Sequence, residues 1–321
     1  MTDATARRAD ASARELLGLT ALVFVTVAVT ATVLAPHLHV SSPAGVPGAG
    51  GADAVANSTP PDEADPLALD PTDRSTLSNE RIERSVRLDD PVDESFDLEG
   101  GAVVDGSVVA GTLRDDLAIE DGARVGGDLV VDDVQDGEIE MEDDAGIGGD
   151  LVVGAVQDGE IEMKDDAGIG GDVVVGTVED GDIEIEDDAV IGGSLGIESI
   201  GDGGLDLDDD AVVSGGLDVE RVSEDGEVEF EDGTVGGDVT LGSVDGEVEF
   251  DDATVDGDVA IDRVGPDGEL EIDDDSTVRG DVIVGDAGGD EDRIDVDEDA
   301  VEGSIIVDGV VVDGAVESAG R

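Results

Sequence analysis

Eight carboxylates recur at one place in eight consecutive repeats: Glu140, Glu162, Glu184, Asp206, Glu229, Glu249, Glu271 and Asp295. Each lies between two apolar residues, as Glu140 lies between Ile139 and Met141, so on an extended chain all eight point away from those neighbours and toward one face. Carboxylates stacked in this way have two chemistries open to them: a close pair can share a proton and work as general acid and base, or several can hold a hard cation. On turns about 4.8 Å apart, adjacent charges repel by about 0.9 kcal/mol in water, and seven adjacent pairs by about 6 kcal/mol. That rivals the stability of a whole domain. The ladder is therefore expected to be screened by salt or bridged by solvent cations, with calcium as the specific candidate.

The acidic runs Leu205–Ala211 and Gly285–Asp299 offer the oxygen ligands calcium prefers, but they lack EF-hand loop spacing. The Gly-Gly-Asp turns likewise lack the continuation of calcium-binding nonapeptide repeats. Catalysis is not expected. The only histidines, His37 and His39, lie next to a long apolar run, there is no cysteine, and no arrangement of base, nucleophile and oxyanion donors emerges. No cofactor is expected.

The element that must position the carboxylates is a repeat. Residues 136–157 and 158–179 are the same 22-residue sentence apart from Glu142/Lys164, Leu151/Val173, Ala155/Thr177 and Gln157/Glu179. Six apolar positions recur in each copy, for example Ile147, Leu151, Val153, Val156, Ile161 and Met163, and copies counted from Val104 start 21, 22, 22, 22, 22, 22, 20, 23 and 23 residues apart. Alternation of period two in β-branched residues, broken by glycine, predicts strands. Forty-eight glycines exclude long helices. Short strands and tight turns in a 22-residue unit predict a chain that coils once per unit, a parallel β-helix of nine full turns and a partial one, about 45 Å long.

The segments ARVGGDLVV at 123–131, DGDVAI at 256–261 and VRGDVIV at 278–284 resemble the bactofilins, polymer-forming cytoskeletal proteins. The resemblance covers residues 100–315. It implies a right-handed, triangular β-helix and self-assembly into a polymer. Bactofilins typically lie on the cytoplasmic face of the membrane and are not usually so acidic.

The outward position of the first strand of each repeat is different in kind. Val109, Val130, Val152 and Val174 line up there, followed by Gly196, Asp218, Thr240 and Ala260, and then Ile283 and Ile306. An apolar stripe on an acidic rod is expected to be a contact surface, for another rod or for the chain's own tether. Val310, Val312 and the turn at Val104 are expected to expose unpaired strand edges, with Phe96 and Leu98 capping the first turn.

With 87 acidic residues against 15 basic ones and a net charge of -72, the chain is not a nucleic-acid binder and reads as adapted to high salt. Arg7, Arg8 and Arg14 precede an uncharged run at 16–35, long enough to span a bilayer, which predicts a transmembrane helix with residues 1–15 in the cytoplasm and the remainder outside. A cleaved signal peptide is the rival reading. Residues 36–95 read as a flexible linker with a glycosylation sequon at Asn57, and 96–321 as the β-helix domain. The expected function is that of a non-enzymatic, membrane-anchored scaffold that assembles with itself. The alternative is a monomeric acidic surface rod, an adhesin or a cation-binding envelope component.

Overall fold

A computed structural model describes residues 65–273, 275–288 and 293–312. It is an all-β parallel solenoid. Each turn contributes one strand to each of three sheets, of 13, 11 and 10 strands. A representative turn gives six residues to the first sheet (Leu151–Val156), four to the second (Glu160–Met163) and two to the third (Gly168–Ile169). The register advances by one repeat per turn, pairing Leu151 with Val173 and Ile161 with Ile183. The eleven strands of the second sheet count the turns.

Sequence alternation translates directly into inside and outside. The pattern buried–half-buried–buried recurs in strand after strand, so Leu151, Val153 and Val156 fill the core while Val152 faces out. Aliphatic side chains stack on their counterparts one turn away, which is how a core can be built almost without aromatics. Phe230 and Phe250 follow the same rule: paired in register, their rings stack with centroids 4.4 Å apart and planes 5° from parallel.

The Asp-Gly corner leading into the second sheet is fixed by close approach. A Cβ on Gly159, Gly181 or Gly203 would come within 2.2, 2.0 and 1.8 Å of the carbonyl oxygen of the corresponding glycine one turn earlier. Only glycine lets these backbones stack. The opposite corner uses left-handed aspartates instead: Asp143 and Asp144, Asp165 and Asp166, and Asp187 and Asp188 all have φ between 50° and 62°, a region in which Asp is one of the tolerated residues.

Three expectations are corrected. The solenoid starts at Leu67, not at residue 96, and Leu67–Leu69, Thr76–Ser78, Arg81–Ile82 and Val86–Leu88 belong to its first turns. Leu77, Val86, Leu88 and Val92 are buried there, so the segment 65–95 expected as linker contributes core. Consequently Phe96 and Leu98 cap nothing: they lie inside the stack, with Leu98 between Leu77 and Ile119. The turn at Val104 is not an open edge either, since Val103–Val104 pairs with Arg81–Ile82 on one side and Arg124–Val125 on the other.

At the far end the chain reverses. Ile305–Val307 pairs antiparallel with Val310–Val312 through a two-residue turn at Asp308 and Gly309, whose φ values of 51° and 73° suit a tight hairpin. The expected apolar run 16–35, the N-terminal part of the linker and Asn57 lie outside the described residues. Among the described residues no helix is long and apolar enough to cross a membrane.

Candidate functional site: a carboxylate face and an apolar column

The second sheet places all eight predicted carboxylates in one column. Glu140 is in register with Glu162, Glu162 with Glu184, Glu184 with Asp206, Asp206 with Glu229, and so on through Glu249 and Glu271 to Asp295. The column is flanked on both sides. Glu138, Glu160 and Asp182 run beside it on one edge, and Glu142, Lys164 and Glu186 follow the strand on the other. These flanks were missed as sites, although the alternation Glu-Ile-Glu-Met-Glu spells them out.

Oxygens of Glu138, Glu140 and Glu162 lie within 4.8 Å of one another, as do those of Glu120, Glu140 and Glu142 and those of Glu162, Glu184 and Glu186. Burial pushes the carboxyls of Glu138, Glu140 and Glu160 up to about 7, and neighbouring carboxylates add to the effect. Asp206 is raised to about 6, again by burial first, with Asp208 and Glu184 contributing. Its Oδ1 is buried and has no hydrogen-bond partner.

Lys164, the only lysine of the chain, stands in the middle of this field. Its Nζ is 2.5 Å from Glu162 Oε1, 3.8 Å from Glu140 Oε1 and 3.8 Å from Glu142 Oε2. The hydrogen bond to Glu162 drives the lysine further above its ordinary range. Although burial opposes ionisation of Glu162, the same bond holds that carboxyl below its usual value. The lysine ammonium thus neutralises part of the ladder. Three carboxylate groups of this kind fit a hard cation by donor chemistry, and one side chain already supplies such a charge.

The motif aspartates have another job. In the Gly-Gly-Asp corner, Oδ1 of Asp128 accepts the backbone N–H of Asp150 at 3.1 Å, Asp150 that of Asp172 at 2.9 Å, and Asp172 that of Ser194 at 2.9 Å. Asp238, Asp258 and Asp281 repeat the arrangement further along. Serines substitute in the same column, Ser107 accepting from Asp128 and Ser85 from Ser107. The Gly-Asp signature is therefore a side-chain ladder that satisfies corner amides, and the candidate cation groups lie on the second sheet.

The apolar column of the first sheet is equally continuous. Val109, Val130, Val152 and Val174 are in register and lead through Gly196, Asp218, Thr240 and Ala260 to Ile283 and Ile306. Val174 is 48% exposed. Next to it, Gly196 leaves a shallow open depression bounded by Val174, Leu217, Asp218 and Thr240. Asp218 is the only carboxylate in the column from Val109 onward, and burial raises it above its ordinary value, with Glu220 and Asp262 adding to the shift. At the end of this sheet Val310 and Val311 are 64% and 60% exposed, whereas Val312 packs partly against the core. Comparison with protein-family models, with curated proteins and with solved structures finds no match.

Proposed function

We propose that this chain is a structural scaffold: a salt-adapted, bactofilin-like solenoid, anchored to a membrane through residues 16–35, that assembles with copies of itself and performs no catalysis. The observation that carries the reading is the terminal hairpin. Among the described residues the longest sheet ends in a strand of three valines, two of them well exposed, and an apolar strand edge of this kind is a template for another chain. The regular core supports it, because eleven turns in unbroken register make a stiff spacer. The signature segments at 123–131, 256–261 and 278–284 support the bactofilin likeness.

Negative-stain microscopy of the full chain, in detergent and about 2 M KCl to screen the acidic face, tests this reading. Filaments one solenoid wide, lost in Val311→Lys, are expected. Discrete particles would overturn self-assembly through the ends and leave the monomeric acidic rod, for which the carboxylate groups on the second sheet speak. Bound calcium at one equivalent per carboxylate group would then identify a cation-binding coat.

A further inference from the structure

We infer that the open depression at Gly196, on the outward face of the first sheet, is a binding site for a small primary alkylammonium, its aliphatic stem lying over Gly196 and its ammonium at Asp218. The site is separate from the carboxylate columns of the second sheet and from the ends of the solenoid, and it does not depend on self-assembly.

The depression is made by two changes on consecutive turns of one column. Val109, Val130, Val152 and Val174 hold the outward position on successive turns, and Gly196 and then Asp218 follow in register. A Cβ added at Gly196 would meet nothing within 4 Å, so the missing side chain leaves room. Val174, 48% exposed, forms an apolar wall. Ser194, Gly216 and Thr240 line the rim.

Asp218 sets the charge of the occupant. Its side chain is half-buried, and among the described residues it makes no hydrogen bond or ion pair. The groups that act on it electrostatically are Glu220 and Asp262, both acidic. Asp172 and Asp238 stand on the near edge, each with one oxygen accepting a corner amide, at 2.9 and 3.0 Å. Arg221 lies three residues along the strand, about 10 Å away, and is not paired with Asp218. A half-buried carboxylate among acids, with no counter-charge of its own, selects a cation over a neutral or anionic ligand.

The stem follows from the spacing. Val174 and Asp218 are two turns apart, about 10 Å, with only backbone between them in the column. A four-carbon stem of the kind lysine carries rests on Gly196 with its tail against Val174 and its ammonium at Asp218. Thr240, in register with Asp218 on the next turn, offers its hydroxyl oxygen to a second ammonium proton. A bare metal ion would use the carboxylate and leave the apolar wall uncovered.

A free amine fits this site where a peptide does not. The strands that carry Val174, Gly196 and Asp218 are each hydrogen-bonded on both sides, so no backbone edge is left for an added strand. The lysine of a second copy is not the occupant either, because the only one, Lys164, is held by Glu162 on the second sheet.

The test uses the full chain in detergent at about 0.3 M KCl, where exposed charges are only partly screened. Butylammonium chloride is the probe and saturation-transfer NMR the readout. Saturable binding in about the millimolar range is expected. Asp218→Asn is expected to weaken it about tenfold. Gly196→Val fills the floor with the side chain that the column carries one turn earlier, so it should keep the circular dichroism spectrum and weaken binding at least about tenfold. Methylammonium, which has the charge without the stem, should bind at least about fivefold more weakly, and Glu249→Gln on the second sheet should change nothing. Uptake that does not saturate, or saturable binding that survives both Gly196→Val and Asp218→Asn, would overturn the proposal, because either describes counterions spread over an acidic surface. A peptide with a single lysine that binds more tightly than butylammonium would overturn the assignment to a free amine.

Discussion

Lys164→Met removes the ammonium set among Glu140, Glu142 and Glu162 and keeps the length and most of the apolar surface of the side chain. The lysine's loss releases three attractions, one at 2.5 Å and two at 3.8 Å. At about 4 Å a unit pair is worth about 1 kcal/mol in water and more where the groups are partly desolvated; these side chains are 13–24% exposed. Against this stands the modest worth of ion pairs that remain in contact with solvent. A loss of about 2–3 kcal/mol at about 0.3 M salt is the balance, shrinking to below about 1 kcal/mol at 2 M KCl, where the Debye length has fallen to a few ångströms. For a chain of this size that corresponds to a drop in Tm of about 4–10 °C at the lower salt. Thermal unfolding of the full chain followed by circular dichroism, at both salt concentrations, reads the difference. An equal loss at both would refute an electrostatic role and assign the lysine to packing; no loss at either would show that protons or solvent ions already neutralise Glu140, Glu142 and Glu162 without it.

The carboxyls of Glu138, Glu140 and Glu160 are raised to about 7 and Asp206 to about 6, so their contribution to stability is full below their unfolded values and is lost as pH rises through the folded ones. Tm in low salt should therefore climb as pH falls from 8 to 5, and a slope of opposite sign would remove the carboxylate face as the cause. Gly181→Ala places a Cβ 2.0 Å from the Gly159 carbonyl oxygen and should cost about 2–4 kcal/mol, measured as a shift in denaturant midpoint. Asp172→Ala leaves the Ser194 amide without its acceptor and should cost about 1 kcal/mol; Asp172→Ser should restore most of it, as serine does at Ser107. A chain truncated before Phe96 should aggregate or melt well below one truncated before Glu63, because it discards the turns that cover Phe96, Leu98 and Val104.

The repeat was legible because each turn is built from the same few aliphatic positions, and the structure returns the registers read from Val104 onward almost residue for residue. The carboxylate and valine columns followed from the same period. The first turns escaped for a local reason. Leu77 to Leu98 and Ile82 to Val104 keep spacings of 21 and 22 residues, but Pro66, Pro71 and Pro91 with clustered acids mask the alternation, so composition outweighed period. The hairpin at Asp308-Gly309 carried the two-residue turn signal in plain view, yet the repeat alone offers Val310 and Val312 only as an unpaired strand edge. What sequence alone could not show is which side chains meet across turns. The Gly-Gly-Asp aspartates look like ligands in a string of acids, and only the hydrogen bonds from the next turn's amides show them to be struts.

The separation of core from surface explains how so acidic a chain can fold. A solenoid makes its core from turn-to-turn stacking of valine, isoleucine and leucine, so the outward positions are free of any packing duty and can diverge face by face. The second sheet uses that freedom for three parallel columns dominated by carboxylates, whose crowding and burial hold several of them above their ordinary range. The first sheet keeps a valine column, but sets exposed carboxylates beside it at Asp132, Glu198, Glu220 and Asp262. Raising salt weakens the repulsion on every face but leaves the apolar packing of the core untouched or stronger, so the fold itself should gain stability with KCl. Tm of the full chain measured from about 0.3 to 2 M KCl tests this, and a Tm that falls across that range would show that repulsion among the carboxylate columns is not what opposes folding.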